Sequence, residues 1–216
     1  MRRPWQLGVM RSCAALVFLP AAAFGQSTTT PPELVEKERI VEASPPPKHR
    51  WETAELGRQL QKREIVAARR RSRALIRISS ERYMRVNEDT QLAILPSLMR
   101  GRPLGLEIQK GEVYLHSREA TADLGIKTPT VEALPNGTQF LVQVDADGKT
   151  TFTMFEGSVE LVNAHGELTL GPLEYGVVEP GQKPRRTARI DAKSPLIQWC
   201  LYYPGVIHLP ELGLSE

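Results

Sequence analysis

Acidic residues in the middle of the chain are the first candidates for chemistry, because carboxylates can bind a metal ion. Asp145, Asp147 and Glu156 could supply oxygen ligands to calcium, which takes about six to eight of them in proteins. The spacing Asp-x-Asp-Gly lacks the remaining ligands of a calcium loop, and a hairpin turn explains it better. We therefore predict no metal site here.

Nucleophiles and histidines are present but lack the partners that catalysis requires. Ser158 lies in Glu-Gly-Ser-Val-Glu, which has no second glycine to complete the Gly-x-Ser-x-Gly turn of hydrolases. The chain has four histidines without metal-ligand spacing, namely His49, His116, His165 and His208. Because no nucleophile has a base placed beside it, we predict that the protein is not an enzyme and has no catalytic residues and no cofactor.

Arginines form the strongest cluster of charge. Arg69, Arg70 and Arg71 are consecutive, and Arg73 follows. Such a cluster could bind an acidic partner, a phosphate-bearing lipid or a nucleic acid. Side chains alternate between the two faces of a strand, so a strand here would divide the arginines and leave a solvated edge. We keep an acidic partner as the alternative, and for a secreted chain we expect no nucleic-acid partner.

Aromatic residues are concentrated near the C-terminus, where Trp199, Tyr202 and Tyr203 fall within five residues. These side chains either fold back on the core or dock a partner, since aromatic residues dominate interface energetics. We predict them as candidate partner-docking residues. Cys200, which lies among them, is interpreted as a small buried hydrophobe, with an intermolecular disulfide or a reactive thiol as alternatives.

The first 25 residues have the pattern of a secretory signal peptide. Three arginines precede or open an apolar stretch, residues 12–24, and small residues offer a cleavage site before Gln26. This stretch has 13 residues, fewer than the roughly 20 that span a membrane as a helix. Cleavage removes three arginines and no acid, so the mature chain has 25 basic and 25 acidic residues. We predict a periplasmic or secreted protein with no transmembrane segment after signal cleavage, and with no intramolecular disulfide because only one cysteine remains.

The segment after the signal peptide predicts little regular structure. Residues 26–50 are rich in hydroxyl, proline and charged residues, so we predict a Pro-rich disordered linker. Residues 51–61 could form a short helix, because Trp51, Leu56 and Leu60 lie at roughly helical spacing.

From Ile65 onward, apolar residues fall on every second position, and turn residues recur every ~8–12 residues. The pattern predicts Phe140 and Val142 inward, with Gln139 and Thr153 outward, and turns at Gly111, Gly148, Gly157 and Gly166. This favours an all-β fold, an antiparallel sandwich, a barrel or a solenoid. The predicted core comprises Ile76, Ile78, Leu106, Val113, Phe140, Val142, Phe152, Met154, Val159 and Leu161.

Five short motifs in order resemble the FecR-domain family over about residues 61–180. They are Arg71–Ile76, Gly111–His116, Ile126–Pro129, Gly137–Phe140 and Glu156–Val159. The family-motif residues are Thr128, Pro129, Gly137, Thr138, Phe140, Glu156 and Gly157. We interpret Gly137 as a glycine that is needed for a positive φ, rather than as part of a binding loop.

The resemblance implies an all-β domain of the bacterial envelope that acts through protein contacts in extracytoplasmic signalling or scaffolding. In founding members of the family, such a domain passes a signal from an outer-membrane transporter to a sigma factor through an N-terminal cytoplasmic segment. This chain has a cleavable signal instead, and therefore resembles the secreted branch. A membrane-tethered regulator of sigma-factor signalling and a glycan or small-ligand binding module stay as alternatives, and no link to iron uptake is carried over.

The tail after the predicted domain, residues 181–216, also resembles a part of the family. In secreted relatives, a segment like 198–204 leads into tetratricopeptide repeats, whereas this chain stops at Glu216. The chain is therefore expected to be either a short stand-alone member or a truncated reading frame. The partner, the signal, the oligomeric state and the choice between sandwich and solenoid do not follow from the sequence.

Overall fold

The computed structural model describes residues 31–48, 50–99, 102–118 and 124–187, and it contains strands and no helix in these ranges. The all-β prediction is confirmed. The strands are β1 Glu33–Glu38, β2 Val41–Ser44, β3 Glu52–Thr53, β4 Ile65–Ala68, β5 Arg73–Ser79, β6 Arg82–Val86, β7 Thr90–Met99, β8 Arg102–Ser117, β9 Leu124–Lys127, β10 Glu132–Val144, β11 Thr150–Asn163, β12 Gly166–Leu170, β13 Tyr175–Val178 and β14 Arg185–Arg186.

Three long strands, β8, β10 and β11, belong to two halves of one sheet. Their segments 111–117, 139–144 and 150–154 pair with one another, and β6, β5 and β1 extend this half beyond β8. The remaining parts of β8, β10 and β11 lie in the other half of the sheet, together with β7, β4, β2, β9 and β12. All described ladders are antiparallel except that of β8 with β9. Strands that change partners at a bend form the corners of a β-sandwich.

Both halves enclose one hydrophobic core. The buried cluster contains Leu34 and Ile76 from one half and Val66 and Ile94 from the other, all at most 1% exposed. The ten residues predicted as core are all buried. Alternation alone identified them because each strand presents one face to this shared interior.

Two expectations for the N-terminal segment are wrong. Within the predicted disordered linker, Glu33–Glu38 and Val41–Ser44 form β1 and β2, in which Leu34, Val41 and Ala43 are completely buried. The predicted helix over 51–61 is absent, and the segment contains β3 and the turn at Gly57 instead. β1 and β2 pair with β5 and β4, whereas β3 pairs with β2 and Leu60 is buried, so pairing and burial override a weak local pattern in both cases. The sheet thus begins before residue 61, where the predicted domain starts.

The predicted turns divide into two kinds. The hairpin at Gly148 is confirmed, since Asp145 N donates to Lys149 O (2.9 Å), and the chain also turns before Gly166. Gly111 and Gly157, in contrast, lie inside the continuous strands β8 and β11. They bend these strands rather than end them, because each has a positive φ (92° and 88°).

Candidate functional site

The motif residue Thr128 fixes the turn between β9 and β10. Its buried hydroxyl accepts hydrogen bonds from Val131 N (3.2 Å) and Thr150 Oγ1 (2.9 Å) and donates to Val131 O (3.1 Å). Because Thr150 begins β11, the turn is tied to the following hairpin. Pro129 lies exposed within the same turn. These two motif residues therefore hold the shape of the sheet.

Gly137 and Gly157 meet at the corner where β10 and β11 cross between the halves. A Cβ on Gly157 would overlap the Cα of Gly137, and a Cβ on Gly137 would overlap the carbonyl oxygen of Glu156. The expectation that Gly137 needs a positive φ is wrong, since the positive φ belongs to Gly157. Gly137 is required instead because two backbones approach too closely to admit a side chain.

The remaining motif residues lie in the strands around this corner. Thr138 continues β10, Phe140 is buried in the core, and Glu156 is exposed at the outside of the bend. No family-motif residue lines either of the two clefts on β1 and its neighbours. The contacts described for Thr128, Gly137, Phe140 and Gly157 thus shape the sheet and its core.

Residues considered for metal binding are used in other ways. Asp145 lies 3.3 Å from the ammonium of Lys149, and Asp147 accepts a hydrogen bond from Lys149 N (3.1 Å), so both stabilise the hairpin. Within residues 31–48, 50–99, 102–118 and 124–187, no group of three His, Cys, Asp or Glu residues could hold a metal. Ser158 lies within β11. Across these ranges, helices with the length and hydropathy of a membrane span are absent.

The arginine cluster is divided by a turn. The guanidinium of Arg69 lies over the ring of Trp51, 4.8 Å from its centroid, and donates to Glu42 Oε2 (2.6 Å). Arg70 and Arg71 form the exposed turn that connects β4 to β5. The predicted division of the cluster is therefore found, although a turn between two strands produces it rather than alternation along one strand.

A cleft of about 190 Å³ lies beside β1, β5 and β6. Lys37, Arg73, Leu75 and Arg85 contribute to its walls. Arg73 stands 3.8 Å from Glu38 across the β1–β5 ladder. The cleft thus combines an apolar floor with charged edges, which is an arrangement that can hold a small polar ligand or an inserted side chain.

Comparison with known proteins identifies the fold that carries these features. Residues 64–160 match the sequence model of the family described as FecR protein. These residues form a FecR domain. The resemblance that the motifs indicated is thereby confirmed. No curated protein matches the chain.

Two crystal structures of a protein from Parabacteroides distasonis, described as a candidate anti-sigma factor, share this fold. Each has a TM-score of 0.53 and 13% sequence identity to this chain. The matches cover 63% of this chain and 63% and 64% of the two solved chains. The chain therefore spans less than two thirds of their length, and the likeness shows the fold alone.

The FecR domain contains a second buried patch on the side of the sheet opposite the core. Tyr114, Leu141 and Phe155 are at most 7% exposed, and the two rings meet edge-on with centroids 5.9 Å apart. Tyr114 also donates to Gln139 Oε1 (3.2 Å). Gln139 and Thr153 lie on the predicted side of their strands but are buried rather than exposed, because these large neighbours surround them.

A buried ion pair lies at the start of the FecR domain. The Glu64 side chain is fully buried and accepts hydrogen bonds from Arg58 Nε (2.8 Å) and Gln61 N (2.6 Å). Burial by itself would lower the pKa of Arg58, but hydrogen bonds and charges from Glu52 and Glu64 outweigh it and raise the pKa. The pair joins the segment before the domain to β4.

The predicted docking residues Trp199, Tyr202 and Tyr203 lie outside the residues that the structure describes, as do Cys200, His49 and His208. Within the part of the chain that the structure describes, the functional candidates are therefore the cleft beside β1 and the exposed arginines.

Proposed function

We propose that the chain is a non-enzymatic FecR-domain protein of the cell envelope that acts by contact with another protein, in extracytoplasmic signalling or in scaffolding. The observation that carries the proposal is the family match over residues 64–160. The description of the solved neighbours as anti-sigma factors adds weight to a role in regulating sigma-factor signalling. The chemistry of the described residues suits this role, because the exposed arginines and Trp51 are types that protein interfaces favour.

The proposal includes a signal peptide over residues 1–25 and a periplasmic or secreted mature protein. Mass spectrometry of the protein purified from its own host tests this step. We expect a mature N-terminus at Gln26. An intact N-terminus in the membrane fraction would instead favour the membrane-tethered regulator of sigma-factor signalling.

Partner contact is assigned in part to Trp199, Tyr202 and Tyr203, since clustered aromatic residues form interface anchors. Affinity capture from native envelope extract, with residues 26–216 and with a chain that ends at Ser194, tests this assignment. The full chain with the three aromatic residues changed to serine is the matched variant, and Leu173→Ser, at an exposed site between β12 and β13, is the control. We expect one envelope protein to be captured by the wild type and by the Leu173→Ser control. The chain that ends at Ser194 and the variant with three serines should not capture it.

The cleft of about 190 Å³ favours a glycan or small-ligand binding module as the second candidate. Thermal shifts across a panel of sugars and peptidoglycan fragments address this alternative. A ligand that raises the melting temperature of the wild type, and no longer does so after Leu75→Trp fills the cleft, would support ligand binding. In that case, the protein-contact proposal would lose its priority.

A further inference from the structure

Three turns meet at one end of the molecule, and they bring together residues that are far apart in the sequence. These turns are the β1–β2 turn at Arg39 and Ile40, the β4–β5 turn at residues 69–72 and the β6–β7 turn at residues 87–89. Ile40 N donates to the buried hydroxyl of Ser72 (3.1 Å), and Arg69 N donates to Ile40 O (3.1 Å). We name this surface, formed by Arg39, Ile40, Arg70 and Arg71, the arginine-rich end.

The arginines of this end are available for contact. The side chains of Arg39, Arg70 and Arg71 are exposed, and within the described ranges none of them forms an ion pair. Arg39 and Arg71 both have a φ of 58°. This left-handed conformation is uncommon for a residue with a Cβ, and such strained residues cluster at functional sites.

A concave surface lies between these arginines. The cleft has a volume of about 260 Å³, and Arg39, Arg71 and Arg73 line it together with Glu38 and Glu88. Both acids already have partners, since Glu38 stands 3.8 Å from Arg73 and Glu88 Oε2 accepts a hydrogen bond from Arg71 N (2.7 Å). The cleft therefore offers two guanidinium groups, those of Arg39 and Arg71, to an incoming anion.

Exposed apolar groups stand next to the arginines. Ile40 is 57% exposed at the tip of its turn, and Trp51 is 41% exposed under the guanidinium of Arg69. An exposed apolar residue that is rimmed by charge is the usual layout of a contact site, and Trp and Arg are enriched at interface hot spots.

We infer that the arginine-rich end binds an acidic segment of a partner protein, with carboxylates in the cleft of Arg39 and Arg71 and an apolar side chain against Ile40. Guanidinium groups bind carboxylates in a two-pronged geometry. A flat anionic membrane fits less well, because Glu38 and Glu88 lie among the arginines and the surface is concave. Arg39 and Ile40 precede the segment that matches the FecR family, so this surface belongs to the chain rather than to the family signature.

The inference rests on the proposed function and specifies the chemistry of the protein partner. A pair of matched variants tests it. Arg70→Glu with Arg71→Glu reverses two charges in the two-residue turn before β5. The control is Lys62→Glu with Arg63→Glu, which reverses two charges in a similar turn before β4, where Arg63 also has a positive φ (67°). The same envelope capture is made with both variants of the mature chain. We expect the partner to be lost with the first pair and retained with the second.

A defined probe separates this inference from the proposed function. A fluorescent peptide of alternating glutamate and leucine is titrated in anisotropy, and its glutamine counterpart serves as the neutral control. We expect the acidic peptide to bind about tenfold more weakly to the Arg70/Arg71 variant than to the wild type and the Lys62/Arg63 variant, and to weaken with salt. Equal binding by all three proteins, no binding at any salt, or binding only to anionic vesicles would overturn the inference. A captured partner that both variants retain would overturn it while leaving the proposed function intact.

Discussion

At the scale of single residues, the two glycines of the family signature, Gly137 and Gly157, are explained by backbone geometry. Gly157 combines a φ of 88° with a close approach to Gly137, whereas Gly57 has a φ of 80° and no atom within 4 Å of its would-be Cβ. Both glycines thus need the left-handed region, but only Gly157 also needs the absence of a side chain. This difference allows the two physical causes to be separated by experiment.

Replacement of each glycine by alanine should reveal this difference. Gly57→Ala should cost about 1–2 kcal/mol in unfolding free energy, which is the penalty of the left-handed conformation. Gly157→Ala should cost about 2–5 kcal/mol, since overlap with the backbone of Gly137 adds to that penalty. Urea unfolding followed by circular dichroism measures both values. Equal losses at the two sites would mean that β10 can move away from β11 at the corner.

The pair of Arg58 and Glu64 supplies a second prediction at this scale. Glu64→Gln should cost about 3 kcal/mol, because it removes one partner of a buried ion pair. Glu55→Gln is the control: Glu55 is 77% exposed beside Lys37, and its loss should cost under about 1 kcal/mol. Similar losses of unfolding free energy in the two variants would show that the burial of Glu64 adds nothing to the stability that its ion pair provides.

The pH dependence of this effect follows from the raised pKa of Arg58. A group whose pKa is higher in the folded state stabilises the fold below its unfolded pKa and loses this effect as pH rises through the folded pKa. For arginine this window is strongly alkaline, so the contribution of Arg58 should be the same at about pH 7 and about pH 9. Urea midpoints of Arg58→Met and wild type, compared at both values, check this. A difference that shrinks by pH 9 would contradict the assignment.

At the scale of elements, sequence periodicity predicted the strands from Ile65 onward but failed at the edges of the sheet. Phe152 stands between two threonines, and Phe140 and Val142 recur at a spacing of two, so their inward faces were recognisable. β1 and β2 were missed because their few apolar residues stand among glutamates and prolines, and only pairing with β5 and β4 orders them. The patch at Tyr114 was missed for another reason, since alternation assigns only one face of a strand to the interior.

Burial of Leu34 makes the role of β1 testable. Leu34→Ala should cost about 2–5 kcal/mol, because it opens a cavity in the core. Leu56→Ala, at a position in the same N-terminal segment that is 58% exposed, should change the unfolding free energy by under about 0.5 kcal/mol. Chemical denaturation of the mature chain measures both. A small loss at Leu34 would restore the interpretation of residues 26–50 as a linker.

The position of the arginine-rich end could not be derived from the sequence. Arg39 and Arg71 are 32 positions apart, and their turns are brought together by the β1–β5 and β2–β4 ladders and by the hydrogen bonds of Ile40 with Arg69 and Ser72. The sequence did show the consecutive arginines, but it could not show which of them have acidic partners. That information depends on the register of β2 with β4, which places Glu42 beside Arg69.

At the scale of the whole molecule, charge is balanced overall but uneven in space. Residues 26–216 contain 25 basic and 25 acidic side chains, while the arginine-rich end has arginines without ion pairs in the described part of the chain. A protein without net charge has no long-range attraction for a polyanion. Its recognition of acidic groups must therefore depend on short-range geometry at this end.

This balance predicts that the mature chain does not bind duplex DNA at physiological salt. Non-specific DNA binding needs several phosphate contacts from a continuous basic surface, and here Glu38 and Glu88 interrupt the arginines. Non-specific DNA-binding proteins have a Kd of about 1–100 μM at physiological salt. The anisotropy of a labelled duplex should therefore stay flat up to roughly tens of micromolar of this protein, under conditions in which the glutamate–leucine peptide binds. Binding of the duplex that falls steeply with salt and disappears in the Arg70/Arg71 variant would contradict the prediction. It would mean that the arginines act as a diffuse charge, so that the cleft and Ile40 would no longer define what the surface recognises.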